Sequence, residues 1–173
     1  MSENQVKPKR RVFTGEWRAS VDKQRRLVMP RAWRLPTDDE NTTFFLMPNR
    51  DNSITIMTES QMDDILDMLD DRSLMNREEM ADVTAVAHRI LAVTLDSQGR
   101  FQLNEDLVKH ANLKERAIFL GSLRVGTIRD AASWDAKRPA GEVGFDGFER
   151  LEDLVRERKE RKEMAAASRG VIS

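Results

Sequence analysis

At 173 residues, 39% hydrophobic and 34% charged, the chain has room for one compact domain or two small ones, with a modest core and a solvated exterior. It contains no cysteine, which excludes disulfide and thiolate chemistry and favours an intracellular setting, and no apolar run approaches the roughly 20 residues that span a bilayer. The net charge of -1 hides an asymmetry: Lys7 to Arg34 holds ten bases against two acids, whereas Asp38 to Asp82 holds thirteen acids against three bases. Such a division assigns one face of the molecule to polyanions and another to a different partner.

Residues 1–11 carry basic side chains with no apolar stretch behind them, so they read as a flexible basic arm and not as a secretory signal. An internal repeat then organises the chain. Ala19 to Met29 matches Val93 to Leu103 at an offset of 74 residues, with apolar, Asp, Gln and Arg positions coinciding. At the same offset Phe44-Phe45-Leu46 falls on Ile118-Phe119-Leu120, and Thr55-Ile56 falls on Thr127-Ile128 if the second hairpin loop is two residues shorter. The units are placed at 12–75, including a connector helix, and 89–138.

Each unit predicts a strand (Val12 to Val21; Ile90 to Leu95), an Asp-led turn and a short strand (Leu27 to Met29; Phe101 to Leu103). A short helix is expected next, opened by Pro30 in the first unit and capped by Asn104 in the second. A hairpin follows, Phe44 to Met47 with Ile54 to Met57 and Ile118 to Leu120 with Val125 to Ile128. Between the units, Thr58 and Gln61 form a capping pair ahead of Met62, Ile65, Leu66 and Leu69 at helical spacing, and Asn76 with Glu79 opens a linking helix over 76–88. Residues 139–173 read as a Gly- and Pro-containing linker, then a helix starting near Phe148 that becomes almost wholly charged.

The repeated Asp-x-x-x-Arg is the informative motif. A turn aspartate accepts hydrogen bonds from backbone N–H groups two or three residues on, and the Arg that follows presents a fork of donors suited to phosphate or guanine. The turn residues are Asp22, Asp96 and Gly99, and the candidate ligands are Arg26 and Arg100, with Lys23, Arg25 and Arg34 beside them; Arg18 and Arg31 are further cations near the first motif. Duplication preserves structure as well as function, so the repeat by itself supports a shared fold more firmly than a shared ligand.

Val21 to Pro30 and its copy Leu95 to Leu103 resemble the Asp-x-Lys-Gly-Arg-apolar-x-apolar-Pro signature of the SpoVT/AbrB superfamily. Two such motifs in one chain, a helical connector and an opening Phe13-Thr14-Gly15 are similar to the MraZ family, a resemblance covering roughly residues 12–136. It implies an α+β fold of two tandem AbrB-like ββαββ units forming an interleaved swapped-hairpin β-barrel, with connecting helices and a C-terminal helix. It also implies a cytoplasmic, nucleoid-associated transcription regulator, in the repressor sense, of the division and cell-wall gene cluster and its own promoter. Such a regulator binds short direct repeats in double-stranded DNA as a ring-shaped homo-oligomer through Arg26 and Arg100.

One departure stands out: the motif glycine survives as Gly99 but is Arg25 in the first repeat, where a positive φ must be met with strain or by a different turn. The reading favours a tolerated turn with added phosphate attraction. No membrane, cofactor or small-molecule substrate is expected, and no catalytic or metal site. Asp63, Asp64, Asp67, Asp70 and Asp71 read as the solvent face of a helix, and His88 and His110 stand apart from any nucleophile. Trp17, Trp33 and Trp134 are expected in the core or at a subunit interface. The alternative is an antitoxin-like or other protein-interaction module of AbrB-like fold.

Overall fold

The computed structural model describes residues 10–70, 77–138 and 145–170. The chain divides into two units, 1–136 and 137–173. In the first, the strands are β1 (Glu16–Ser20), β2 (Arg26–Val28), β3 (Thr43–Pro48), β4 (Ile54–Thr58), β5 (Leu91–Thr94), β6 (Arg100–Gln102), β7 (Arg116–Gly121) and β8 (Gly126–Asp130). Its helices are α1 (Glu59–Asp70), α2 (Arg77–Ala87), α3 (Glu105–His110) and α4 (Ala131–Lys137), the last running one residue past the division.

Alternation of apolar and polar residues fixes the buried face of β3 and β8, whereas β7 buries Ala117, Ile118 and Phe119 in succession. In β3, Phe44 and Leu46 are fully buried, as are Ile54 and Ile56 in β4, Phe119 in β7 and Ile128 in β8. Six strands form one antiparallel sheet in the order β1-β7-β8-β4-β3-β5, and β2 with β6 form a separate two-stranded ribbon. The first strand of each half therefore pairs with the hairpin of the other: β1 lies on β7, and β5 lies on β3. Leu27 stands opposite Phe101 in the ribbon and Thr55 opposite Thr127 in the sheet, so positions matched by the repeat face one another.

The α+β class and the antiparallel pairing are as expected, but no closed barrel is found among the described residues. The six-stranded sheet ends at β1 on one side and β5 on the other, and the ribbon strands pair with each other instead of closing the gap. Leu27 and Phe101 nevertheless enter the same core as Phe44, Ile56 and Phe119, so the ribbon covers that core from outside the sheet.

The helix expected after β2 is only a 3-10 turn, Arg31–Trp33. Pro36 disfavours helical geometry at Leu35, and Asp38 Oδ2 accepts the Leu35 N–H at 2.8 Å, which ends the element. In the second half, Asn104 Oδ1 accepts from Leu107 N at 2.9 Å, and the full helix α3 forms. Gln61 Oε1 accepts the Thr58 N–H at 2.9 Å at the start of α1. Asn76 lies outside the described residues. One of the connector aspartates, Asp64, pairs with Arg124 at 2.9 Å.

The opening Phe-x-Gly seals one end of the core. Phe13 and Trp33 are fully buried and meet edge-on at 5.1 Å, and Trp33 meets Phe119 at 5.6 Å. The Thr14 carbonyl accepts both indole N–H groups, from Trp33 at 2.8 Å and from Trp17 at 2.9 Å. Gly15, at φ 81°, makes the bend that brings this carbonyl to both rings. Trp17 is 42% exposed and Trp134 is half-buried, so only Trp33 is a core tryptophan. His110 ties the halves together, its Nε2 lying 2.7 Å from the Asn49 carbonyl and its Nδ1 3.0 Å from Arg89 Nη2.

The second unit contains α5 (Phe145–Gly170), which begins before Phe148. Its exposed ladder includes Arg161 with Glu157 at 3.6 Å and Lys159 with Glu163 at 4.0 Å.

Trp33 combines the largest buried side chain with a satisfied N–H, so Trp33→Ala is expected to lower stability by about 3–5 kcal/mol. Urea unfolding checks this as a fall in midpoint at unchanged slope.

Candidate nucleic-acid interface

Each Asp-x-x-x-Arg forms the same hydrogen-bonded turn. Asp22 Oδ1 accepts from Gln24 N at 2.9 Å and from Arg26 N at 2.8 Å, and Asp22 Oδ2 accepts from Arg26 Nε at 2.7 Å. In the second copy, Asp96 Oδ1 accepts from Gln98 N and Arg100 N, both at 2.9 Å, and Asp96 Oδ2 accepts from Arg100 Nε at 2.7 Å. One carboxylate thus satisfies two backbone donors and aims one guanidinium.

The aspartate holds its arginine by Nε alone. Among the described residues, neither terminal nitrogen of Arg26 or Arg100 has a hydrogen-bond partner, so both forks remain available for a ligand. Their side chains are 31% and 28% exposed, which means that they are partly supported by the ribbon and open at the tip.

Ribbon register sets their direction. Leu27 and Phe101 point inward, so their neighbours Arg26, Val28, Arg100 and Gln102 point outward on one face. Arg26 pairs with Gln102 and Arg100 with Val28, placing the two arginines on a diagonal about 7–8 Å long between their Cα atoms. The Asp22 and Asp96 turns lead into opposite ends of this ribbon.

Arg25 keeps the shared turn geometry. Its φ is 60° against 74° at Gly99, and both residues donate their N–H to the carbonyl of the turn aspartate, Arg25 to Asp22 at 2.9 Å and Gly99 to Asp96 at 2.8 Å. A left-handed non-glycine residue is disfavoured by about 1–2 kcal/mol. Cross-ribbon bonds hold it there: Leu103 N donates to the Arg25 carbonyl at 2.9 Å, as Met29 N donates to the Gly99 carbonyl at 2.8 Å. Arg25 Nε reaches the Leu103 carbonyl at 3.3 Å.

The remaining candidate cations occupy different settings. Lys23 and Arg25 are exposed in the first turn, which makes it richer in cationic side chains than Ser97-Gln98-Gly99 in the second. Arg31 is exposed, and Arg34 lies across Gly99 in a cleft that Asp96 and Ser97 also line. Arg18 is engaged by Asp135 at 2.7 Å and Glu16 at 3.4 Å. Arg11, at the end of the segment read as a flexible arm, is fastened to Asp38 and the Trp33 carbonyl and stacks over Phe44 at 4.8 Å. Lys7 and Lys9 lie outside the described residues.

No family model matches the chain. It is similar to the transcriptional regulator MraZ of Alkaliphilus metalliredigens, 26% identical over 144 residues that cover 83% of this chain and 99% of the relative. The corresponding regulator of Mycolicibacterium smegmatis is 25% identical over 146 residues, 83% of this chain and all of the relative. A shorter stretch of 61 residues is 41% identical to the regulator of Acidithiobacillus ferrooxidans, over 35% of this chain and 40% of that protein. Over most of its length the chain is thus similar to regulators named MraZ. Near-complete coverage of two relatives means that this similarity extends over both repeats and not over one motif.

The backbone N–H of Arg26 does most to hold the Asp22 carboxyl below its ordinary value of 3.8; desolvation opposes this, and the Arg26 side chain assists it. Asp96 is lowered in the same way by Arg100. A carboxyl lowered by folding contributes stability above its unfolded value and loses that contribution as the pH falls through its folded value. The Arg26 and Arg100 amide resonances are therefore expected to stay constant from neutrality down to the ordinary carboxyl value of 3.8 and to shift only below it, as an NMR titration would record. Asp22→Ala and Asp96→Ala are each expected to loosen their own turn while leaving the other turn's amide shifts in place.

Proposed function

We propose that this protein is a non-enzymatic transcription regulator that binds double-stranded DNA through the outward face of the β2–β6 ribbon. The observation that carries the reading is the pair of aspartate-aimed guanidinium groups, Arg26 and Arg100, on one partly exposed face, their terminal nitrogens unengaged among the described residues. The names of the relatives supply the regulatory context.

Two types of contact divide the work. Arg26 and Arg100 read base edges or groove shape, and Lys23, Arg25 and Arg34 add attraction for backbone phosphates. The exchanged strands support reading 12–75 and 89–138 as interleaved repeats, a swapped-hairpin arrangement that carries both motifs on one ribbon. One such ribbon makes few contacts, so several copies arranged in a ring would bind short direct repeats by effective concentration. The target proposed from the family resemblance is the division and cell-wall gene cluster including the protein's own promoter, with occlusion giving repression at the nucleoid.

Replacing Arg26 and Arg100 together with Ala, after confirming the fold by circular dichroism, tests the reading on duplex DNA from upstream of the protein's own coding sequence. Each bidentate contact is worth about 1–3 kcal/mol, so the double variant should lose at least tenfold in affinity. The dependence of log affinity on log salt should change little, because the phosphate-facing cations that set it are kept. Equal affinity at two salt concentrations would remove the ribbon face as the DNA site.

A further inference from the structure

The two turns share one backbone but are braced by different means. Gly99 has no side chain, and the Arg34 guanidinium from the other repeat occupies the space a Cβ would need: such an atom would lie 2.9 Å from Arg34 Cζ and closer still to Nη1. Arg34 Nε is buried and has no acceptor. An arginine free to move would turn that N–H to water, so packing over Gly99 governs where this side chain sits. Nearby charge assists. Burial would raise the Asp38 carboxyl, but Arg11, the Leu35 N–H and the charges of Arg11 and Arg34 outweigh it and hold it ionised below its usual range.

At the first turn the direction is reversed. The residue in the left-handed position is itself an arginine, and Arg25 reaches outward to the Leu103 carbonyl of the other repeat. At the repeat's offset, the counterpart of Arg34 is Val108, which has no guanidinium to lay over the first turn. Each turn is thus associated with one cross-repeat arginine, supplied by the turn itself in one case and by the opposite repeat in the other.

We propose that Arg34 is a positioning residue for Arg100: by packing over Gly99 it holds the second turn in its ligand-reading geometry, while Arg25 braces the first turn from within. The affinity part of this inference rests on the DNA reading above; the structural part does not.

Arg34→Val, Gly99→Asn and the double variant test it in the full chain. Asparagine tolerates the left-handed region, so its main new feature is a Cβ where the guanidinium lies. Amide hydrogen exchange, read residue by residue by NMR, is the local measure. Arg34→Val should speed exchange at Gln98 and Arg100 by about tenfold and leave Gln24 and Arg26 within about twofold, whereas general destabilisation would speed both turns alike. Gly99→Asn should do the same alone and add less than about twofold once Arg34 is Val, because the two residues act through one contact.

Affinity for the upstream duplex should follow the same non-additive pattern. Equal acceleration at both turns, or a full Gly99→Asn effect in both backgrounds, would overturn the brace. If the native chain binds no DNA while the exchange pattern holds, the DNA reading fails and the brace stands. Should Arg34→Val not fold, Arg34→Lys supplies the same comparison by keeping the charge and the stem while losing the planar group.

Discussion

The aspartate of each turn is the group on which the candidate face depends. A carboxylate that accepts two backbone N–H groups fixes the path of four residues, and its second oxygen, by taking Nε of the next arginine, fixes the direction of a side chain that would otherwise sample many rotamers. The ordering cost of that arginine is thus met in the free protein, before any ligand arrives. A carboxylate at the same distance on Nη1 or Nη2 would have consumed the donors a ligand needs. Engagement at Nε leaves the fork open.

Two such turns become one surface only because strands cross between the repeats. β1 completes the hairpin of the second half and β5 that of the first, which brings β2 and β6 side by side. The inward residues of that ribbon, Leu27 and Phe101, join the same core as Trp33 and Phe119. Burial of those two residues forces Arg26 and Arg100 to the opposite, outward side. The direction of the candidate ligands is therefore a consequence of core packing, and the aspartates refine it.

Much of this was legible in the chain. The spacing of Asp, Gln and Arg at an offset of 74 located both turns, and alternation placed the hairpin strands to within a few residues. The Thr58 and Asn104 caps were readable because capping needs only local chemistry. Long-range facts were not readable. Nothing near Arg11 in sequence announces that Asp38 and Phe44 will hold it, and Arg34 looks like any basic residue beside a motif until the fold lays it over Gly99. The 3-10 turn fell short of the expected helix because Pro36 and Asp38 act after the point where Pro30 opens it. The open sheet differs from the expected barrel because closure depends on where the edge strands end, which periodicity within a strand does not encode.

The change of Gly to Arg25 could be taken for damage to the first motif. The hydrogen bonds are preserved on both sides of it, so the substitution alters what the turn carries and not how it is built. Covalent duplication is what permits this. In a symmetric pair of identical chains, an arginine at the left-handed position and an arginine like Arg34 would have to coexist at both turns, and each Cβ would collide with a guanidinium. With the two repeats in one chain, the left-handed position is Arg in one copy and Gly in the other, and the position matching Arg34 at the repeat's offset is Val108. The result is a near-symmetric frame whose two turns differ in the cationic side chains they carry.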